Sequence, residues 1–84
     1  DKYLHLYDLV RRQIESNWEE AIDLLEEGKK AGLIKKDANL EIFRMMMEAS
    51  LMTFFEKDTL RSAGLNYTEG LDEVVKILLE GISV

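Results

Sequence analysis

Residues 40–54 read LEIFRMMMEASLMTF, and this stretch decides the fold that the sequence predicts. Wound as a helix, it confines its charges to one narrow strip, formed by Glu41, Arg44 and Glu48. Large apolar side chains cover more than half of the helix circumference, whereas a helix buried on one side needs an apolar arc of little more than about 100°. The pattern therefore predicts a helix that is buried on two sides.

Apolar periodicity along the chain predicts an all-α protein with three helices, at about residues 3–31, 38–57 and 69–82. In the first helix, apolar residues recur at spacings of three and four from Tyr3 to Leu25. Gly32 is the expected left-handed stop of that helix. Nothing in the sequence has the alternating pattern of a strand.

Capping residues mark the starts of the other two helices. Asp37, with Asn39 as the alternative, is the expected N-cap of the second helix, and Thr68 is that of the third. Residues 58–67 between them are expected to form a loop with room for a helical turn.

The predicted first helix is too long for the rest of the chain. About 28 residues of helix span roughly 42 Å, whereas a compact globule of this size is only about 30 Å across. The third helix is also apolar over about half of its circumference, at Leu71, Val74, Val75, Ile77, Leu78, Leu79 and Ile82. A second copy, or a further part of the same chain, is expected to cover the apolar surface that three helices alone cannot bury.

Composition restricts the class of protein. The 84 residues, 46% hydrophobic and 33% charged, suit one small globular domain, and the net charge of −6 disfavours contact with nucleic acid. The chain contains no cysteine, no secretory signal and no apolar run long enough to cross a bilayer. We expect a cytoplasmic protein without a membrane contact. Because the first residue is Asp1, we also expect a piece of a longer chain.

The sequence offers little catalytic chemistry. His5 is the only histidine, and no cysteine is present to join it in a metal site. No serine lies in a nucleophile motif, and the glycine-rich phosphate-binding patterns are absent. These observations predict a non-enzyme without a metal ion or other cofactor.

The methionine run 45–47 is open to three interpretations. Its side chains can pack in the core and an interface, as most methionines on helices do. They can instead line an adaptable apolar cavity, because methionine is unbranched and polarizable. Trp18 and Tyr7 would then form the facing aromatic wall. A groove for varied peptides is the third interpretation.

Residues 24–50, LLEEGKKAGLIKKDANLEIFRMMMEAS, resemble the C-terminal regulatory domain of tetracycline-repressor-type (TetR-family) transcriptional regulators. In both, a long helix ends in Glu-Glu-Gly-x-x-x-Gly, a short apolar and basic turn follows, and an acidic cap starts a helix rich in large apolar residues. The tail EGLDEVVKILLEGI, residues 69–82, is similar to the family's leucine-rich terminal helix.

The resemblance implies a homodimer in which the last two helices form a four-helix bundle with their twofold mates. The dimer surface would then draw on Phe43, Met46, Met47, Phe54, Leu71, Val75, Leu78 and Ile82. An effector cavity would draw on Ile14, Trp18, Met45 and Met52, and these residues favour a small apolar or aromatic effector. The family's helix-turn-helix is missing from the 84 residues, so operator DNA would be bound by an N-terminal domain that precedes them.

Two functional hypotheses follow. The first is that residues 1–84 form the dimerisation and effector-sensing domain of a bacterial TetR-like repressor. The alternative is a free-standing helical module that binds a different protein. A fragment of an enzyme whose catalytic residues lie upstream is a third, unsupported possibility. Coding sequence for a helix-turn-helix upstream of Asp1 would favour the first hypothesis, and a start codon directly before it the second.

Overall fold

Asn17 divides the first predicted helix into two. In the computed structural model, which describes residues 1–56 and 58–84, helix α1 spans Lys2–Ile14 and helix α2 spans Trp18–Lys30. Asn17 is extended (φ −155°, ψ 92°), and its side-chain oxygen accepts a hydrogen bond from the backbone N–H of Glu20 at 3.1 Å. The predicted single helix over residues 3–31 is therefore wrong, and so is the expectation that it overhangs the rest of the chain.

Charges on both sides of this break stabilise the two helix ends. Arg11 and Arg12 lie in the last turn of α1, and Glu19 and Glu20 lie in the first turn of α2. Each pair opposes the partial charge of the helix end that it occupies. The two helices fold back as a hairpin, whose buried side chains are Leu6, Val10 and Ile14 from α1 and Ala21 and Leu25 from α2.

Replacing Asn17 by alanine tests the hairpin. Because Asn17 caps α2, we expect Asn17→Ala to lower the free energy of unfolding by about 0.5–2 kcal/mol. In a continuous helix the same change would raise stability, since alanine is the better helix former. Urea denaturation measures the sign, and Asn17→Asp, which retains a capping oxygen, is the matched control. A stabilised Asn17→Ala variant would contradict the hairpin.

The second half of the chain contains helices α3 (Leu40–Phe54), α4 (Thr59–Ser62) and α5 (Tyr67–Ile82). The described residues thus form five helices and no strand, which confirms the all-α class but not the count of three. Helices α3 and α5 correspond to the predictions at 38–57 and 69–82, and α4 is the helical turn for which the loop had room. The last residue of the predicted second helix, Lys57, lies outside the described residues.

The caps of α3 and α5 explain why these helices begin where they do. Asn39, rather than Asp37, caps α3 by accepting a hydrogen bond from the N–H of Ile42. Asn66, rather than Thr68, caps α5, and the Glu69 carboxylate accepts a hydrogen bond from the Asn66 N–H in return. This reciprocal pair satisfies two backbone donors that the helix itself leaves free.

The last turn of α2 and the turn after it each require a glycine. Gly32 has φ +78° and ends the helix in the left-handed conformation, as the sequence predicts. The N–H of Leu33 donates to the Gly28 carbonyl at 2.9 Å, which completes the helix stop. A Cβ atom at Gly28 would lie 2.8 Å from side-chain atoms of Leu6 and Ile34, so only glycine allows this close approach without a shift.

Helix α5 closes the fold. Its start lies beside the end of α3, where Phe54 and Tyr67 meet edge to face with 6.5 Å between ring centroids. Its end is joined to the turn after α2 by an isolated antiparallel bridge between Ile34 and Ser83. Helices α3 and α5 are therefore antiparallel. The core between all these elements consists of Leu6, Val10, Ile14, Ala21, Leu25, Ile34, Leu40, Phe43, Met47, Leu71, Val75 and Leu79.

Candidate functional site

Helix α3 is apolar on two opposite sides, of which only one is covered. Leu40, Phe43 and Met47 face the core and are buried. The uncovered side contains no charge over an arc of about 120°, taking 100° per residue. Together with the adjoining exposed residues of α5 it forms a continuous uncharged surface, which we call the α3–α5 face: Ile42, Met45, Met46, Ala49, Met52, Thr53, Ile77 and Gly81.

The large side chains of the α3–α5 face are well exposed, between 48% for Ile42 and 67% for Met52. Where α3 and α5 meet, the face is concave and forms a groove of about 340 Å³. The groove is lined by Asn39, Ile42, Phe43, Met46, Ile77, Leu78, Gly81 and Ile82. A concave apolar surface without charge is typical of a contact site for another apolar surface.

Charged residues mark one border of the face. The Arg44 Nε donates to a Glu48 carboxylate oxygen at 2.7 Å, one turn further along α3. The Arg44 guanidinium also lies 5.6 Å from the centroid of the Trp18 ring, which ties α3 to the start of α2. Arg44 is thus held to the side of α3 and does not reach across the uncharged surface.

The predicted dimer residues divide into three groups. Phe43, Met47, Leu71 and Val75 are buried in the core of a single chain, with exposures of 3% or less, so they offer a partner almost no surface, although Phe43 is also among the residues that line the groove. Phe54 is half-buried at the end of α3, against the Tyr67 ring. The other three, Met46, Leu78 and Ile82, lie together in the groove of the α3–α5 face.

The predicted effector-cavity residues are not brought together. Ile14 is buried in the core, and Trp18 is half-buried beneath the Arg44 side chain. Met45 and Met52 are exposed on the α3–α5 face. The reason is the break at Asn17: it turns the Ile14 side of α1 onto α2 instead of extending it along α3. This structure therefore has no cavity enclosed by these four residues.

A second apolar groove, of about 470 Å³, lies between the start of α1 and the end of α2. Its lining consists of Asp1, Lys2, His5, Leu6, Leu9, Leu24, Glu27, Gly28, Ala31 and Leu33. No predicted site residue lies in it. The signal that could have found it is Gly28, because a glycine one turn before a helix stop lets a neighbouring helix approach closely.

Sequence reasoning placed Ile42 and Ile77 on apolar arcs but assigned neither to a contact surface, although both line the groove of the α3–α5 face. Ile42 precedes the buried Phe43, and Ile77 lies one turn before the exposed Gly81. The position of the charged strip around the helix could have identified Ile42. Ile42 follows Glu41 by about 100° around the helix axis, which places it away from the core, on the uncovered side.

Within residues 1–56 and 58–84, one ion pair joins two different helices. The Arg11 Nε donates to an Asp72 carboxylate oxygen at 2.7 Å and joins α1 to α5. Burial, and secondly the nearby Asp72 carboxylate, raise the pKa of the Tyr7 phenol above its ordinary value. These groups stabilise the packing of α1 on α5 and border neither groove.

The described residues do not assemble a metal-binding cluster. His5 is exposed at the start of α1, and within residues 1–56 and 58–84 no three acidic or histidine side chains lie close enough to hold a metal ion. Among the helices described, none is sufficiently long and apolar to cross a bilayer. The α3–α5 face is thus the most distinctive candidate site.

Comparison of the chain with protein families, with curated proteins and with solved structures found no match.

Proposed function

We propose that the chain is the dimerisation and effector-sensing part of a cytoplasmic bacterial repressor of the tetracycline-repressor type, and that two copies pair through the α3–α5 face. It has no catalytic role, and operator DNA is bound by an N-terminal domain outside residues 1–84. The observation that carries the proposal is the uncharged α3–α5 face on a chain of which 33% is charged. The resemblance of residues 24–50 and 69–82 to the TetR family is the reason for proposing a repressor of that type as the parent protein.

The geometry of α3 and α5 suits a twofold contact. The two helices are antiparallel neighbours, and an apolar groove runs between them. When a second copy turns the same face toward the first, side chains on each copy, such as Met46 and Ile77, can enter the groove of the other. Such an isologous contact forms a four-helix bundle from two helix pairs.

The exposed area of the single chain also favours a partner. The chain exposes 5627 Å², whereas a folded monomer of 9.7 kDa is expected to expose about 5,100 Å². The exposed area includes the large apolar side chains of the α3–α5 face. Covering them in a dimer removes apolar surface from water at no loss of polar hydration.

Effector sensing is the part of the proposal that depends most on the resemblance. The groove between α1 and α2 is the apolar surface that a small aliphatic or aromatic effector would fit, since leucine side chains dominate its lining. An effector that binds one arrangement of the paired chains more tightly than the other would shift the fraction of DNA-competent repressor.

Sedimentation equilibrium across nanomolar to high-micromolar concentrations tests the pairing. We expect a reversible monomer–dimer equilibrium that approaches a clean dimer in the micromolar range, and no affinity for DNA from residues 1–84 alone. A mass that stays monomeric at every concentration would contradict the proposal. Upstream coding sequence for a helix-turn-helix would support the parent repressor, and a start codon directly before Asp1 would contradict it.

Salt is expected to strengthen the dimer. Each copy carries a net charge of −6, so the two copies repel each other while the contact itself is uncharged. Raising ionic strength shortens the range of this repulsion. We therefore expect the dissociation constant measured by sedimentation to fall as sodium chloride is raised from low to near-molar concentration. A constant that rises with salt would show that ion pairs hold the dimer instead.

A free-standing module that binds a different protein is the second candidate. It is favoured by the three exposed methionines, because flexible thioethers adapt to surfaces of varied shape. A monomer at all concentrations, combined with a change in molecular mass only when another protein is added, would favour this candidate over the dimer.

A further inference from the structure

Three of the four methionines are exposed on one uncharged surface. Met45, Met46 and Met52 are 62%, 50% and 67% exposed, whereas Met47 is fully buried in the core. The chain contains no cysteine, so these thioethers are its only accessible sulfur. Met46 and Met47 are adjacent in the sequence and have the same side chain, yet they differ sharply in their access to reagents in solvent.

We propose that Met45, Met46 and Met52 form a reversible oxidation site that controls contact through the α3–α5 face. The oxidant is a two-electron oxygen donor of the peroxide class. In the reaction with hydrogen peroxide, a sulfur lone pair attacks one oxygen and forms the S–O bond while the O–O bond breaks. The proton on the attacked oxygen passes to the second oxygen, which leaves as water. The sulfur is oxidised to the sulfoxide and the peroxide is reduced.

Access determines which sulfur reacts. Met45 and Met52 are the most exposed and are oxidised first. Met46 lines the groove between α3 and α5 and follows more slowly. Met47 is packed among core side chains with no solvent-exposed surface, so it reacts only when the chain unfolds.

The expected effect of oxidation on dimerisation rests on the proposed function, in which two copies pair through the α3–α5 face. A sulfoxide oxygen is a strong hydrogen-bond acceptor, and none of the eight residues of the α3–α5 face carries a charged donor. The Lys35 ammonium at the edge of the face already donates to the Gly81 carbonyl at 3.4 Å. A buried acceptor without a partner is costly. We therefore expect oxidation to weaken the dimer about tenfold or more, with Met46 contributing most because it lies in the groove.

Peroxide treatment of the folded chain followed by tryptic peptide mapping tests the site. Cleavage after Arg44 and Lys57 releases all four methionines in one peptide, residues 45–57, so fragment ions compare their oxidation within one molecule. We expect sulfoxide at Met45 and Met52, then Met46, with Met47 unmodified until urea is added. Equal oxidation of Met47 in the folded chain would overturn the site.

Sedimentation of the oxidised chain tests the control of association. We expect a dissociation constant at least about tenfold higher than before oxidation, restored by methionine sulfoxide reductases. The matched control is the variant with Met45, Met46 and Met52 replaced by leucine. It is expected to dimerise with a dissociation constant that peroxide does not change. An unoxidised chain that dimerises and is unchanged by oxidation at all three positions would overturn the switch. A wild-type chain that never dimerises would overturn the proposed function and the switch, while the oxidation pattern still tests the site.

Discussion

Replacing Met46 by glutamate is expected to convert the dimer into a monomer. Met46 lies in the groove of the α3–α5 face, where no basic residue is among the lining side chains. In the dimer, each copy would bury a carboxylate without a partner, and the twofold axis doubles the cost. Since truncating one member of a buried charged pair costs about 2–5 kcal/mol, two unpaired carboxylates are expected to weaken association by at least about a thousandfold.

The monomer should remain folded, because half of the Met46 side chain is exposed in the single chain. Sedimentation equilibrium gives the dissociation constant, and far-ultraviolet circular dichroism shows whether the helices persist. Leu4→Glu is the matched control: Leu4 is an exposed apolar residue on α1, 59% accessible and outside the face. A Met46→Glu chain that dimerises as tightly as the Leu4→Glu chain would show that the α3–α5 face is not the dimer contact.

Replacing Met47 by alanine is expected to lower the free energy of unfolding by about 2–5 kcal/mol, because it leaves a cavity in a fully buried position. For a chain of this size such a loss is a large share of the total stability. The adjacent Met46→Ala change is expected to stay within about 0.5 kcal/mol, as exposed substitutions usually do.

Urea denaturation at protein concentrations below the dimer dissociation constant measures both variants without a contribution from association. The two substitutions delete the same atoms from neighbouring residues of α3, so their difference isolates burial from helix propensity. Similar losses of unfolding free energy for the two variants would contradict the assignment of the Met47 side of α3 to the core. They would equally contradict the assignment of the Met46 side to the exposed α3–α5 face.

Much of the helical content could be predicted from apolar spacing, but the break at Asn17 could not. The apolar series continues at spacings of three and four from Ile14 through Trp18 to Ala21. A turn of three residues preserves this phase, so periodicity alone does not distinguish a hairpin from one long helix. The missed signal was electrostatic: paired arginines, then Ser-Asn, then paired glutamates mark one helix end followed by another helix start.

The candidate site was predictable only in part, for a related reason. The wide apolar arc of α3 correctly indicates two apolar sides, but composition does not indicate which side packs inside the chain. The sequence assigns Phe43, Met46 and Met47 alike to a partner, whereas the structure buries Phe43 and Met47 and leaves Met46 uncovered, together with the unassigned Ile42. Which side of α3 is buried depends on how α5 and the α1–α2 hairpin pack against it. That packing depends on contacts between residues far apart in the sequence.

The contact between Trp18 and Arg44 provides an internal optical reporter. Trp18 is the only tryptophan in the chain, and its indole lies where the hairpin meets α3, outside the uncharged surface. Its emission therefore follows separation of the hairpin from α3 and stays nearly unchanged when two copies meet. Fluorescence and sedimentation consequently report on different events, unfolding and pairing, in the same unlabelled sample.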